Sequence, residues 1–188
     1  MVVPARATRE QIDMQRINVR ELRALYAAGM RNFGPIDLSD ADLFEAELAA
    51  TNLQGSNLTK TYLPYANLSQ ANLQEAKLSQ AELSDAKLYR ANLSGANLEG
   101  CNLLRANLRY ANLQGANLSG TNLVGADLYK ADLSGATLQN ADLSRANLQG
   151  SCLSSADLRG ATLFRATDVD ITGALVDNTT QAPDGYRF

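Results

Sequence analysis

The sequence predicts an all-β solenoid, a chain wound into stacked coils around a narrow core, and three observations predict it. A leucine stands at every fifth position from Leu38 to Leu163, which makes 26 consecutive five-residue units covering 130 of the 188 residues. Alanine occupies the position two before the leucine in 19 of these units. Glycine is frequent two positions after the leucine, as at Gly95 and Gly115, where a turn of unusual φ favours it.

The five-residue period excludes the two commonest regular elements. On an α-helix, leucines five residues apart drift by about 140° per unit and occupy every face. In a flat strand, an odd spacing sends successive leucines to opposite faces. The pattern is satisfied when the alanine and the leucine point inward, the residue between them points outward, and the next two residues turn a corner. That outward residue is Asn in 12 units and Asp in six.

The repeating unit Ala-(Asn/Asp)-Leu-x-x, seen at Ala91-Asn92-Leu93 and at Ala131-Asp132-Leu133, resembles the repeat of the pentapeptide-repeat family. The resemblance covers residues 36–165 and implies a right-handed quadrilateral β-helix in which four units make one square coil. Stacking at about 4.8 Å per coil predicts a rod core roughly 30 Å long. Alanine and leucine would fill the interior, so the resemblance places function on the outer surface.

We predict three segments: an N-terminal segment with a helical cap (1–35), the β-helix of 26 units (36–165), and a C-terminal cap and tail (166–188). Asn18 is a good N-cap for a short helix, and Gly29 fits its C′ position. Phe33 is in phase with Leu38 and should fill the first inward position. Residues 18–33 resemble the start of pentapeptide-repeat members that regulate heterocyst differentiation in filamentous cyanobacteria. Residues 8–11 fit a capping box for an earlier short helix.

The repeat fails after Leu163, since Asp168 stands where the next leucine is due. We expect the apolar residues of 169–176 to fold over the last coil, which shields an edge that would otherwise invite pairing with another chain. The gyrase-binding members of the family dimerise through a C-terminal element, and this tail is too short to provide a clear one. The sequence therefore favours a monomer.

Charge and cysteine content restrict the classes of partner. The net charge is −3, divided as about +3 before residue 36, −3 within the repeats and −3 after residue 165. That balance is not the profile of a strongly basic nucleic-acid binder. Cys101 falls at an inward position and Cys152 at an outward one, so we expect reduced thiols and a cytoplasmic protein. No apolar run is long enough to cross a membrane, and we expect no membrane partner.

The sequence offers little material for catalysis. It contains no histidine, no CxxC pair and no phosphate-binding loop. The serines that follow the leucines, such as Ser94 and Ser119, are repeat positions without a partner base. The acidic residues are likewise repeat positions. We predict that the protein is not an enzyme and binds no cofactor or metal.

Sorting the units by their position within a coil separates a polar face from an aromatic and basic corner. The face built on Leu53, Leu73 and Leu93 shows mainly Asn, Gln and Ser, which is typical of a solvated surface. Two neighbouring faces show Tyr, Arg and apolar groups, the composition favoured in protein–protein interfaces. The candidate partner-binding residues are Phe44, Tyr62, Tyr65, Tyr89, Arg90, Leu104, Arg105, Arg109, Tyr110, Val124, Tyr129 and Phe164.

Two other functions remain open beside a non-catalytic scaffold for an unknown protein partner. Resemblance to gyrase-inhibiting members of the family implies a DNA mimic that binds DNA gyrase or topoisomerase. The repeats carry 13 acidic and 10 basic residues, and a mimic of duplex DNA should be more one-sided. Direct nucleic-acid binding on the Tyr and Arg corner is the third possibility. We expect the scaffold and do not expect nucleic acid.

Overall fold

The computed structural model describes residues 15–187 and shows a coil that repeats every 20 residues. Each unit of residues 36–150 forms a parallel bridge with the residues 20 positions further along, as Asn52 does with Asn72 and Asn72 with Asn92. Leu53 N–H donates to the Asn72 carbonyl at 2.8 Å, and Leu73 N–H donates to that of Asn92 at 2.7 Å. A 20-residue coil holds four five-residue units, as the resemblance implied.

Regular secondary structure is sparse because each side of the coil is only three residues long. One residue per side makes the bridge, and the two corner residues interrupt the strand on either side. The elements are β1 (Gln15–Arg16), α1 (Val19–Ala27) and β2 (Ile36–Asp37), with β1 and β2 paired in parallel. No helix within residues 15–187 is long and apolar enough to cross a membrane.

The predicted inward positions are buried. The unit leucines are at most 2% exposed, and the alanines two positions earlier are mostly 0–3% exposed. Polar residues at the inward alanine position bond to the backbone, as Thr121 Oγ1 does to the Leu118 carbonyl. Cys101 Sγ similarly lies 2.8 Å from the Leu78 carbonyl oxygen. Ser151 differs, because its buried Oγ has no partner within the described part of the chain.

The prediction that Asn and Asp simply point outward was incomplete. These side chains are mostly half-buried, and their oxygens accept the backbone N–H two residues later, as Asn102 Oδ1 does from Leu104 at 3.2 Å. The Asn amide groups also donate between coils, as Asn122 Nδ2 does to Asn102 Oδ1 at 3.0 Å. A short side chain two residues before the first corner residue can reach the N–H of that residue, and this explains the preference for Asn and Asp.

Helix α1 lies at the N-terminal end of the coil, with Leu22 fully buried against the core. Asn18 is its N-cap, accepting the Glu21 N–H at 2.9 Å, and Gly29 follows the C-cap at a φ of 93°. Both predictions about this helix are therefore confirmed. Phe33 is half-buried and packs against the core. The earlier helix predicted around residues 8–11 lies outside the described residues.

The C-terminal segment continues the coil irregularly. Leu175 bridges Asp157, and Gln181 bridges Thr162, at spacings shorter than the regular 20 residues. Gln181 also pairs in antiparallel fashion with Arg187, which folds the tail back on itself. Within this segment Val169, Ile171 and Val176 pack against the core, as expected, whereas Leu175 is 54% exposed.

Candidate interaction surface

The clearest surface feature lies on the corner residues that follow Leu88, Leu108 and Leu128. The first corner positions of these units are Tyr, Arg and Tyr, and the second are Arg, Tyr and Lys. Tyrosines and cations therefore alternate along both columns and also across each unit. We call this set the tyrosine–cation surface; it consists of Tyr89, Arg90, Arg109, Tyr110, Tyr129 and Lys130.

The three tyrosines are in contact across adjacent coils. The ring centroids of Tyr89 and Tyr110 are 5.8 Å apart with planes at 84°, and those of Tyr110 and Tyr129 are 5.5 Å apart at 83°. These are edge-to-face pairs, the arrangement that aromatic quadrupoles favour. Tyr110 is 38% exposed, so the centre of this surface is available to a partner.

Cations lie over the same rings. The Arg90 guanidinium carbon is 5.2 Å from the Tyr89 centroid and 5.6 Å from that of Tyr110. Over Tyr129, the Arg109 guanidinium carbon lies at 4.5 Å and Lys130 Nζ at 5.3 Å. Distances below about 6 Å allow a favourable cation–π interaction. These contacts restrict the side-chain conformations of the rings and cations in the unbound protein.

A second cluster, the aromatic triad of Phe44, Tyr62 and Tyr65, lies nearer the N-terminal end. Phe44 stacks on Tyr62 with centroids 6.2 Å apart and meets Tyr65 edge-on at 5.9 Å. The three side chains are 40%, 47% and 51% exposed, respectively. Helix α1 approaches this cluster, since Arg23 Nη2 donates to the Phe44 carbonyl at 3.1 Å.

The remaining candidates do not form one continuous exposed row. Leu104 and Val124 are half-buried. Phe164 is half-buried beside the tail, where a Cβ added to Gly185 would lie 3.4 Å from its ring. Pro64, which occupies the equivalent position after Leu63, is buried. The structure therefore brings the tyrosines and cations together but separates Phe44 from Phe164 by partly covered positions.

Two of the candidate arginines are engaged by carboxylates. Arg105 makes a bidentate pair with Asp85, with Nε at 2.8 Å and Nη2 at 2.7 Å from the two carboxylate oxygens. That pair holds the pKa of Asp85 below its usual range. Arg109 Nη1 lies 3.0 Å from Asp127 Oδ2. The Arg105 guanidinium is therefore already paired with a carboxylate of the same molecule.

Sequence reasoning missed two features of this site. Lys130 was not among the candidates, yet it lies over Tyr129 and completes the alternating pattern. The alternation itself was also missed, although comparing residues 20 apart in the sequence would have found it. Both become apparent once the corner residues are aligned coil by coil.

Elsewhere, the described surface offers shallow concavities rather than a cleft. A polar groove of about 460 Å³ has Gly100 and Gly120 in its lining, among Ser79, Gln80, Glu99 and neighbouring residues. No group of three or more Cys, Asp or Glu side chains within residues 15–187 could hold a metal ion.

The fold and surface define a repeat protein in which four five-residue units form each coil. The sequence profile of the family described as "Pentapeptide repeats" matches in eight copies between residues 36 and 178. This chain belongs to the pentapeptide-repeat family.

Solved structures agree with that assignment. HetL, a pentapeptide-repeat protein involved in heterocyst differentiation regulation in the cyanobacterium Nostoc sp. strain PCC 7120, is 31% identical over 92% of this chain and 100% of HetL, with a TM-score of 0.53. Trypsin-treated QnrB1, a plasmid-mediated fluoroquinolone resistance protein, is 22% identical over 78% of this chain and 82% of that chain, also with a TM-score of 0.53. Both solved proteins are right-handed quadrilateral β-helices. No curated protein sequence matches this chain.

Proposed function

We propose that this protein is a non-catalytic scaffold that binds a protein partner through the tyrosine–cation surface. The observation that carries the proposal is the contact network of three tyrosines with Arg90, Arg109 and Lys130. Tyrosine and arginine dominate the binding energy of many protein interfaces because they combine large contact areas with polar groups.

The coiled backbone also holds these side chains in a fixed arrangement before binding. The backbone beneath the surface is bonded in both directions along the rod; Tyr110 N–H donates to the Tyr129 carbonyl at 2.9 Å, and Arg90 N–H donates to that of Arg109 at 2.9 Å. A surface whose backbone is already ordered loses less conformational entropy on binding. We infer that the coil has the right-handed quadrilateral form of the solved relatives, consistent with its 20-residue period.

The similarity to HetL supports a regulatory role for such a scaffold, since that relative takes part in heterocyst differentiation regulation. A cytoplasmic location is part of the same proposal. Its support is that both cysteines are free thiols, which is typical of proteins in reducing compartments.

The alternative is a DNA mimic that acts on gyrase. QnrB1 shares the fold of this chain, and that similarity keeps the alternative open. Several acidic side chains that a DNA mimic would present to gyrase are already bonded to other side chains of this protein. Asp85 is paired with Arg105, and Glu82 accepts two hydrogen bonds from Asn102 Nδ2, both at 2.9 Å. The structure therefore favours the scaffold.

Affinity capture from an extract of the source organism, quantified by mass spectrometry, tests the proposal. The unmodified protein is compared with an Arg90→Ala/Tyr110→Ala variant and with a control, Gln74→Ala/Gln114→Ala, on the polar face. We expect the first variant to lose the specific partner and the control to retain it. Equal capture by all three proteins would contradict the proposal.

A gyrase supercoiling assay distinguishes the DNA mimic from the scaffold. A mimic would inhibit supercoiling and lose potency in a Glu75→Gln/Glu82→Gln/Asp85→Asn variant, whereas a scaffold that does not target gyrase would leave supercoiling unchanged. Inhibition that survives Arg90→Ala/Tyr110→Ala but disappears on neutralising those acids would replace the scaffold with the mimic.

A further inference from the structure

The tyrosine–cation surface carries an uncompensated positive charge. Its three units (86–90, 106–110 and 126–130) contain four cations, and Asp127 is their single acidic residue. Asp127 is paired with Arg109. The described residues contain three ion pairs, and none of them includes Arg90 or Lys130. Lys87 lines a groove with Glu47 and Asp85, so the unpaired charge of this surface lies at Arg90 and Lys130. An acidic partner would supply the missing carboxylates.

The spacing of the cations restricts the shape of that partner. Arg90 and Lys130 occupy the same column two coils apart, which corresponds to about 9.6 Å along the rod. Tyr110 lies between them in the same column. This is the separation of the two backbone positions, so a ligand that runs along the rod and meets both cations with equivalent groups is best matched by a repeat close to about 9.6 Å, with a group that can contact an aromatic ring in between.

Among extended peptide conformations, the polyproline II helix has this repeat. It advances about 3.1 Å per residue with three residues per turn, so every third side chain recurs on one face at about 9.3 Å. A β-strand repeats its face every two residues, at about 6.7 Å, which does not match two coils. Polyproline segments also dock on aromatic side chains and lose little conformational entropy in doing so.

We propose that the tyrosine–cation surface binds an acidic, proline-rich segment of a partner protein in the polyproline II conformation, with a carboxylate at every third residue. The carboxylates meet Arg90 and Lys130, and the prolines between them pack on Tyr110 and its neighbours. This inference rests on the proposed function and specifies the chemistry of the partner. The rod axis sets the direction of the bound segment.

Fluorescence anisotropy with a labelled peptide of repeated Glu-Pro-Pro triplets, at low ionic strength, tests the inference. The matched comparison is a peptide of identical composition with its glutamates grouped at one end. We expect the triplet peptide to bind at least about fivefold more tightly, because only its carboxylates are in register with the cations. Equal affinity for the two peptides would overturn the polyproline II register, and no binding of either would overturn the inference.

Variants locate the peptide on the surface. Arg90→Gln/Lys130→Gln keeps much of each side-chain stem but removes both charges, and it should weaken triplet binding by about tenfold. Arg90→Lys should retain most of the affinity, and Gln74→Ala/Gln114→Ala should retain all of it. Circular dichroism confirms that each variant is folded. Unchanged triplet affinity in the charge-removing variant would place the peptide elsewhere and overturn the inference.

An oligothymidylate of matched charge distinguishes a nucleic-acid ligand. Tighter binding of that oligonucleotide than of the triplet peptide would overturn the inference in favour of single-stranded nucleic acid, whose bases stack on tyrosines. If the peptides fail while extract capture still depends on Arg90 and Tyr110, the proposed function stands and this inference falls. If extract capture is also independent of those residues, both fail.

Discussion

At the scale of the residue, the inward position two before the leucine shows how strictly the core selects side chains. Apart from Ile36 in the first unit, only Ala, Ser, Thr and Cys occupy it, and every hydroxyl or thiol there except that of Ser151 donates to a backbone carbonyl. Thr61 Oγ1 donates to the Leu58 carbonyl at 2.7 Å, and Cys101 Sγ lies 2.8 Å from that of Leu78. A buried polar group is tolerated there because its hydrogen bond offsets the loss of hydration.

A pair of adjacent substitutions tests the division between core and corner. Leu103→Ala should lower the free energy of unfolding by about 2–5 kcal/mol, because a fully buried side chain leaves a cavity. Asn102→Ala should cost less, about 1–2 kcal/mol, since it removes half-buried hydrogen bonds with Glu82, the Leu104 N–H and the Asn122 amide but leaves no core cavity. Chemical denaturation measures both, and equal costs would contradict the assignment of inward and outward sides.

The Cys101 thiol should make stability depend on alkaline pH. Burial raises the pKa of this thiol to about 12, whereas in the unfolded chain it ionises near 9.0. Its contribution is therefore fully present below pH 9 and is lost as the pH rises towards 12, because only the unfolded state releases the proton. The loss should approach about 1.4 kcal/mol per pH unit within that window.

Cys101→Ala provides the control for this titration, because alanine already occupies the same position in 19 units. Denaturation of both proteins between pH 8 and pH 11 should show the steeper decline for the unmodified chain. Parallel declines would show that the Cys101 thiol makes no contribution to the loss of stability at alkaline pH.

At the scale of the element, every unit ends in a corner residue whose backbone is in the left-handed region. The last residue of each of the 26 units has positive φ, in nine units as glycine and in 17 as another residue with φ between 52° and 61°. The left-handed region is unfavourable for residues with a Cβ. It is sustained here because the corner N–H donates to the next coil, as Tyr65 N–H does to the Ser84 carbonyl at 3.0 Å.

Gly115→Ala isolates the backbone strain at a corner. The φ of Gly115 is 62°, and a Cβ added there would have no neighbour within 4 Å, so only strain is introduced. We expect a loss of about 1 kcal/mol in thermal or chemical denaturation. The reverse change, Ala50→Gly at a φ of 55°, should be neutral or slightly stabilising. A fully stable Gly115→Ala protein would show that the corner tolerates a Cβ without strain.

At the scale of the whole molecule, stability comes from contacts between successive coils. Each coil bonds to the coils before and after it, and the two ends are covered by different elements: α1 on one side and the irregular segment after Leu163 on the other. A solenoid of this kind needs atypical ends because an exposed coil edge can pair with another chain.

The far-ultraviolet circular dichroism spectrum should reflect this architecture. Within the described residues, α1 is the one helix and spans nine residues, while the coils consist of single bridges and turns. We expect a spectrum dominated by β and turn contributions with a small helical component. A mainly helical spectrum would contradict the fold.

The sequence by itself determined the inward leucines and alanines, the corner glycines and the N-terminal cap at Asn18. Each of these features follows from interactions within one unit or within a few adjacent residues. The family and its four-unit coil could also be predicted, because the five-residue period runs unbroken over 26 units.

Only the tertiary structure decided which surface residues meet. Tyr89, Tyr110 and Tyr129 are about 20 residues apart and come into contact because one coil lies above the next. The Asn and Asp side chains became half-buried for the same reason, since the adjacent coil supplies hydrogen-bond partners: Asn122 Nδ2 donates to Asn102 Oδ1, and Asn147 Nδ2 donates to Asp127 Oδ1. Phe164 followed the same pattern as Phe44 in the sequence, but the returning tail packs beside it. A local period specifies the inside of a solenoid, whereas its outer surface depends on contacts between coils and with the chain ends.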